Sequence, residues 1–247
     1  MALARRRSAR ALALALLLGA CASGPPLPPE IAARPALAEI ATTPSVLDIY
    51  DPIEPFNRAM YHFNAGFDRY IFLPIVRAYE LVTPDFVENR VSDFFNNLRE
   101  VPTFANALLQ LKAERAARAA VRFVVNGLFT GGLFDLAGAR GVAQVREDFG
   151  QTLGYWGLGA GPYLVLPVLG PANLRDATGI AADGLLFWLL TPGEVQESLA
   201  YRAVRFGLQP IDTRHQLAFR YYQTGSPFEY ELVRLLYTQT RRLEVAN

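Results

Sequence analysis

The chain is poor in the residues that build most catalytic and metal centres. Its 247 residues include one cysteine, Cys21, and two histidines, His62 and His215. A lone cysteine excludes an intramolecular disulfide. Two histidines without an H-E-x-x-H arrangement exclude a histidine-rich zinc site, and no metal is expected. There is no G-x-S-x-G elbow and no P-loop. A Ser–His–Asp triad would have to use His62 or His215, both within helical stretches. Residues 157–162, GLGAGP, resemble a dinucleotide loop, but Pro162 stands in place of the last glycine and no strand–turn–helix context surrounds them. No enzyme activity and no cofactor are expected. With a net charge of +1, the chain also lacks the basic surface that neutralises phosphates, which argues against a nucleic-acid partner.

An uninterrupted apolar helix is missing too. Between Asp148 and Arg175 no side chain is charged, and a helix needs about 20 apolar residues to span the hydrocarbon of a bilayer. Gly150, Gly154, Gly157, Gly159, Gly161 and Gly170 disfavour a helix there, and Pro162, Pro167 and Pro171 each cost about 3 kcal/mol inside one. The stretch therefore reads as an irregular apolar hairpin with extended pieces such as residues 163–166. In water such a hairpin belongs in a core. At membrane depth, irregular backbone survives only where protein buries it or where it lines a wet cavity. On that second reading Gly157, Gly159, Gly161, Pro162 and Pro167 carry the backbone beside the cavity.

The N-terminus reads as a targeting segment. Arg5, Arg6, Arg7 and Arg10 precede a short apolar run at residues 11–18, too short to span with such flanks. Residues 18–21, LGAC, resemble the lipobox of bacterial lipoproteins. By that resemblance residues 1–20 are a signal peptide, and Cys21 becomes a lipid-bearing first residue. Burial of acyl chain contributes about 0.8 kcal/mol per CH₂, so several chains make a lasting anchor. Ala22, rather than an aspartate, points by resemblance to the outer membrane. Six prolines among small residues make residues 21–50 an extended tether, and residues 51–247 form the folded domain.

That domain reads as predominantly α. Phe56, Met60, Phe63 and Phe67 recur at helical spacing, with Asn57, Asn64 and Asp68 on a neighbouring face. Those polar groups are either ordinary flanks of a core helix or a path for lipid headgroups. Thr83 as cap and Pro84 at the first position open a helix whose apolar face holds Val87, Val91, Phe94, Phe95 and Leu98. Pro102 separates it from a second run with Phe104, Ala107, Leu108 and Leu111. Residues 113–129 form the next helix, with Ala117, Ala120, Val121, Val124 and Leu128 inward and Arg115, Arg118 and Arg122 on the far side. That arginine row is either a solvated face or a contact for anionic headgroups. Asn173 caps a helix through residue 190, and further helices are expected at 198–208, 212–222 and 229–243.

Several blocks together resemble the MlaA (VacJ) family of outer-membrane lipoproteins. They are DPIEPFNRAMYHFN followed by Asp68; FFNNLREVPTFANALLQLK; RFVVNGLFTGGLFDLAG; and EDFGQTLGYWGLGAGPYLVLPVLGPANLRD with Gly179 and Asp183 beyond. The resemblance implies a non-enzymatic component of phospholipid transport. It implies a ring- or disc-shaped helical domain in the periplasmic leaflet of the outer membrane, enclosing a central amphipathic channel. Mislocalised phospholipid from the outer leaflet would pass to a periplasmic carrier, MlaC, while trimeric porins hold the lipoprotein in place. Asn57, Asn64, Asp68, Arg175, Asp176 and Asp183 are the expected polar lining, although capping or core hydrogen bonds would explain each. Two rival readings remain: a scaffold that stabilises porins or the envelope, and a lipid hydrolase. Leu111 stands where the family commonly has glycine, Ala172 where serine is usual, and Phe228–Glu229 replaces Asp–Pro.

Overall fold

Proline placement sets the first structural surprise. In the computed structural model, which describes residues 48–247, the helical path from α1 (Glu54–Phe67) to α2 (Leu73–Val82) runs through a π-helical segment, π1 (Asp68–Phe72). A proline lacks the N–H for an i→i−4 bond and its ring crowds that carbonyl. Pro74 lies in the first turn of α2, and just before it the Leu73 N–H reaches back five residues to the Asp68 carbonyl. The same device recurs at π2 (Ala203–Leu208), which precedes Pro210; there the Gln209 N–H bonds the Val204 carbonyl. The expected signal peptide, Cys21 and nearly all of the expected tether lie outside the described residues.

The other helices are α3 (Asp85–Leu109), α4 (Ala113–Thr130), α5 (Leu136–Ala139) and α6 (Phe149–Tyr155), then α7 (Leu174–Leu190), α8 (Gly193–Glu197), α9 (Leu199–Arg202), α10 (Gln209–His215) and α11 (Glu229–Ala246). Strands β1 (Tyr163–Leu166) and β2 (Gly170–Asn173) pair antiparallel, with Tyr163 opposite Asn173 and Leu166 opposite Gly170. No described helix is long and apolar enough to cross a membrane. Ile49–Asn247 form one compact unit.

Several expectations about element limits need correction. Pro102 does not split α3, which runs through it as one helix. Proline removes only one hydrogen bond, and the turns on both sides are held by burial of Glu100, Thr103, Asn106 and Ala107. Pro84, not Thr83, occupies the cap position of α3. The helix expected at 212–222 stops at His215, because the Arg214 guanidinium takes over the carbonyls of Leu217 and Phe219 at 2.9 and 3.1 Å. The helix expected at 198–208 is α9 followed by π2. Helix α6 forms inside the glycine-rich stretch because Asp148 caps it, accepting the Gln151 N–H at 2.8 Å. Its glycines permit contact: a Cβ on Gly179 of α7 would lie 2.3 Å from the Gly150 nitrogen.

A larger correction concerns which way the helices face. On α4 the buried residues are Ala116, Ala119, Arg122 and Asn126, whereas Val121, Val124 and Leu128 are exposed, the last at 79 %. Phe56 and Phe63 of α1 are exposed, and Asn57, Tyr61 and Asn64 are buried. On α3, Leu108 and Leu109 face out while Thr103 and Asn106 face in, and Leu111 just beyond it is exposed as well. Among the described residues, buried polar and charged side chains outnumber buried hydrophobic ones, twenty to twelve. The arginines of α4 are accordingly not a free row. Arg122 is enclosed between Glu100 and Asp135, at 2.7 and 2.9 Å, and Arg115 pairs with Glu147. In water each exposed Leu or Phe forgoes roughly 1.5–3 kcal/mol of burial, and a surface this apolar marks a contact with membrane or partner.

A conventional core remains beneath the hairpin, where Tyr61, Tyr163, Val165 and Tyr230 cluster with Met60, Tyr221, Val233 and Tyr237 around them.

Candidate functional site

Two asparagines of α1 hold the hairpin. Asn57 accepts the Val165 N–H at 2.9 Å and donates to the Tyr163 carbonyl at 2.9 Å. Seven residues on, Asn64 accepts the Val168 N–H at 2.7 Å and donates to the Leu166 carbonyl at 2.9 Å. Two helical turns rise about 10 Å, as do three residues of strand, so the two carboxamides meet successive peptide groups as a neighbouring strand would. Val168 at the tip is held at φ +66°, an unfavourable setting for a β-branched residue, and Gly170 follows at φ +86°. Gly157 and Gly161 also have positive φ, at +90° and +70°. The carbonyl of Pro162 accepts the Leu174 N–H, and that of Pro167 the Leu169 N–H. Gly159 has open space around its Cα.

The hairpin tip overhangs a cavity of about 690 Å³. Asn64, Asp68, Arg214, Arg241 and Glu244 give it a polar side, and Phe67, Phe72, Leu169, Leu236 and Val233 an apolar one. A second cavity of about 360 Å³ shares Phe72, Val168, Leu169, Arg214 and Leu217 with it, so the two adjoin beneath the tip. Asp68 and Arg214 form a two-bond pair at 2.6 and 2.9 Å, both almost fully buried. Together these walls form a volume that suits a small amphiphile or part of a larger one.

Arg175 and Asp176 sit instead in a network at the base of the hairpin. Asp176 receives Arg175, Arg241, Tyr237 and Asn173, and Arg241 also reaches Asp148 at 2.7 and 2.9 Å. Burial alone would raise the Asp176 and Asp148 carboxyls, but hydrogen bonds from Arg241 hold both below the ordinary carboxylate range. Asp183 lies elsewhere, accepting the Phe149 N–H at 2.9 Å and the Asn106 amide at 2.7 Å; burial pushes its carboxyl up. Of the six polar residues expected to line a channel, Asn64 and Asp68 border the large cavity. Asn57 and Asp183 bond interior groups, and Arg175 borders a separate pocket of about 350 Å³ with Arg241 and Arg242.

Arg214 and Arg241 were not foreseen, because their partners lie far away in sequence. Arg122 with Asn126 left a readable signal. They fall on the face of α4 that carries Ala116 and Ala119, and small plus polar residues on one face, with Val and Leu opposite, is the pattern of a helix packed inside an apolar medium. His62 and His215 pair with Tyr222 and Glu80, and no cluster of three or more metal-ligating side chains occurs among the described residues.

Residues 49–244 match the family model of the MlaA lipoproteins. The chain belongs to the MlaA lipoprotein family. It is 37% identical over 175 residues to the intermembrane phospholipid transport system lipoprotein MlaA of Escherichia coli, covering 68% of this chain and 66% of that one. An uncharacterized protein of Rickettsia felis is 42% identical over 133 residues; the match spans about half of each chain, 53% of both. A solved structure reported as the structural basis for maintenance of bacterial outer membrane lipid asymmetry superposes with a TM-score of 0.64 at 32% identity. It covers 79% of this chain and 98% of that one. MlaA membership gives meaning to one departure noted above. Leu111 follows α3 at φ +59°, with the Lys112 N–H on the Ala107 carbonyl, a left-handed cap in which glycine is favoured.

Proposed function

We propose that this protein is an outer-membrane lipoprotein that takes mislocalised phospholipid from the outer leaflet and passes it through an amphipathic channel to a periplasmic carrier. The observation that carries this reading is the inverted polarity: polar side chains are buried, large apolar ones are exposed, and a two-sided cavity lies under the hairpin tip. A phospholipid headgroup cannot be moved through hydrocarbon without a polar track, because an unpaired charge there costs several kcal/mol. A lipid anchor at Cys21 would place the domain in the periplasmic leaflet, with its apolar helix faces in acyl chains. A trimeric porin as holder and a carrier of the MlaC kind as acceptor complete the reading. It requires no bond-breaking chemistry and no cofactor beyond the covalent lipid.

The test is surface labelling of aminophospholipid in cells lacking the gene. Outer-leaflet phospholipid should rise on deletion and return to normal with the intact gene, but not with Leu169→Asp, which puts a charge on the apolar cavity wall. Full clearance by a folded Leu169→Asp variant would favour the scaffold reading instead.

A further inference from the structure

Half of the arginines among the described residues form ion pairs with carboxylates. Two of the others, Arg99 of α3 and Arg205 of π2, come from distant segments and meet residues one turn apart on α10, and neither forms an ion pair. Arg99 donates to the Thr213 hydroxyl at 3.0 Å. Arg205 bonds Gln209 and stacks over the Phe187 ring at 4.7 Å. Arg205, Gln209 and Thr213 line the smaller cavity beneath the hairpin tip, and Arg99 joins its edge through Thr213. Burial lowers the Arg99 pKa, and the charges of Arg146 and Arg205 lower it further; Asp212, whose charge opposes them, is buried and held by Ser92 and Gln216. Arginine remains charged at any ordinary pH. Gathering like charges in partial burial is unfavourable unless an anion completes the cluster.

We propose that Arg99 and Arg205, with Thr213 and Gln209, form a binding site for a phosphate group, carried by a lipid headgroup in the cavity or free in solution. A planar guanidinium matches phosphate oxygens with paired hydrogen bonds, and the hydroxyl and carboxamide supply further donors. The cavity opens from this cationic wall toward Phe72, Val168 and Leu169, so the acyl chains of a bound phospholipid would lie under the hairpin. The headgroup form of the proposal rests on that cavity being the lipid path.

Calorimetric titration of the full chain in detergent with dihexanoylphosphatidylglycerol, dihexanoylglycerol and inorganic phosphate tests it. The phospholipid should bind at least about tenfold more tightly than the phosphate-free lipid, the scale of one charge-assisted hydrogen bond. Arg99→Gln with Arg205→Gln should abolish that preference and leave dihexanoylglycerol binding unchanged. Inorganic phosphate binding as tightly as the phospholipid, and lost in the double variant, assigns the site to the free ion. A preference that survives in the double variant overturns the phosphate site and leaves the lipid path standing. Lipid binding indifferent to Leu169→Asp overturns the path itself.

Discussion

The hairpin seat and the α3–α4 pair solve the same packing problem in opposite ways. Under the hairpin, Tyr61, Tyr163, Val165 and Tyr230 exclude water, and the tyrosines meet edge to face with centroids 5.8–6.2 Å apart. Between α3 and α4 the interior is Glu100, Arg122, Asn126 and Thr103, with Val121, Val124 and Leu128 turned outward. The first region is packed by apolar burial, with Asn57 and Asn64 fixing its edge. The second is held by directional bonds, which keep their strength when the surroundings are apolar too.

Breaking Arg122 should give the largest effect. Arg122→Met leaves Glu100 buried without its cation, a loss of about 3–5 kcal/mol, read as a fall in melting temperature in detergent. Adding Glu100→Gln should recover a large part of it. Val165→Ala in the hairpin seat should cost about 2 kcal/mol through the cavity it leaves. If Val165→Ala proved the more damaging, the contrast between the regions would collapse.

Asn57→Ala falls between these two. It strips both partners from the Val165 N–H and the Tyr163 carbonyl, about 1–3 kcal/mol for each buried group left unpaired. Faster amide exchange at Val165, with α4 unaffected, is the expected signature.

Acid should separate the two regions. Burial holds Glu100 above the ordinary carboxylate range in spite of Arg122, so its ionised form is a liability that protonation relieves. Lowering the pH from neutral toward about 4.3, the unfolded value, should stabilise the α3–α4 pair. Asp148 and Asp176 have lowered folded pKa values. Their contribution is present above about 3.9 and is lost as pH falls through those lowered values. Docking of α11 through Arg241 should therefore loosen only at the acid extreme, a sequence that hydrogen exchange across pH would resolve. The smallest expected change is a gain: Leu111→Gly relieves a left-handed cap and should add about 1 kcal/mol of thermal stability.

Much of this was readable beforehand from particular residues. Asn173 caps α7 as its position suggests, accepting the Asp176 N–H at 2.8 Å. Residues 163–166 are a strand in a Gly/Pro hairpin, and α4 and α11 fall close to their expected limits. The family blocks could be read directly. The Asp68–Arg214 pair and the anchoring of α11 by Arg241 could not, since each joins segments that nothing local connects. Pro102 misled because its penalty is local, whereas the burial that offsets it belongs to the whole helix pair.

By itself the sequence determined where the helices run, where glycine and proline forbid them, and which family the chain belongs to, since caps, propensities and motif order are properties of neighbouring residues. The tertiary structure alone decided which face of each helix turns inward. Periodicity fixes the axis of an amphipathic helix but not its sign. That sign depends on whether polar partners wait inside, as Glu100 and Asp135 do for Arg122, and on whether the medium outside welcomes the apolar face.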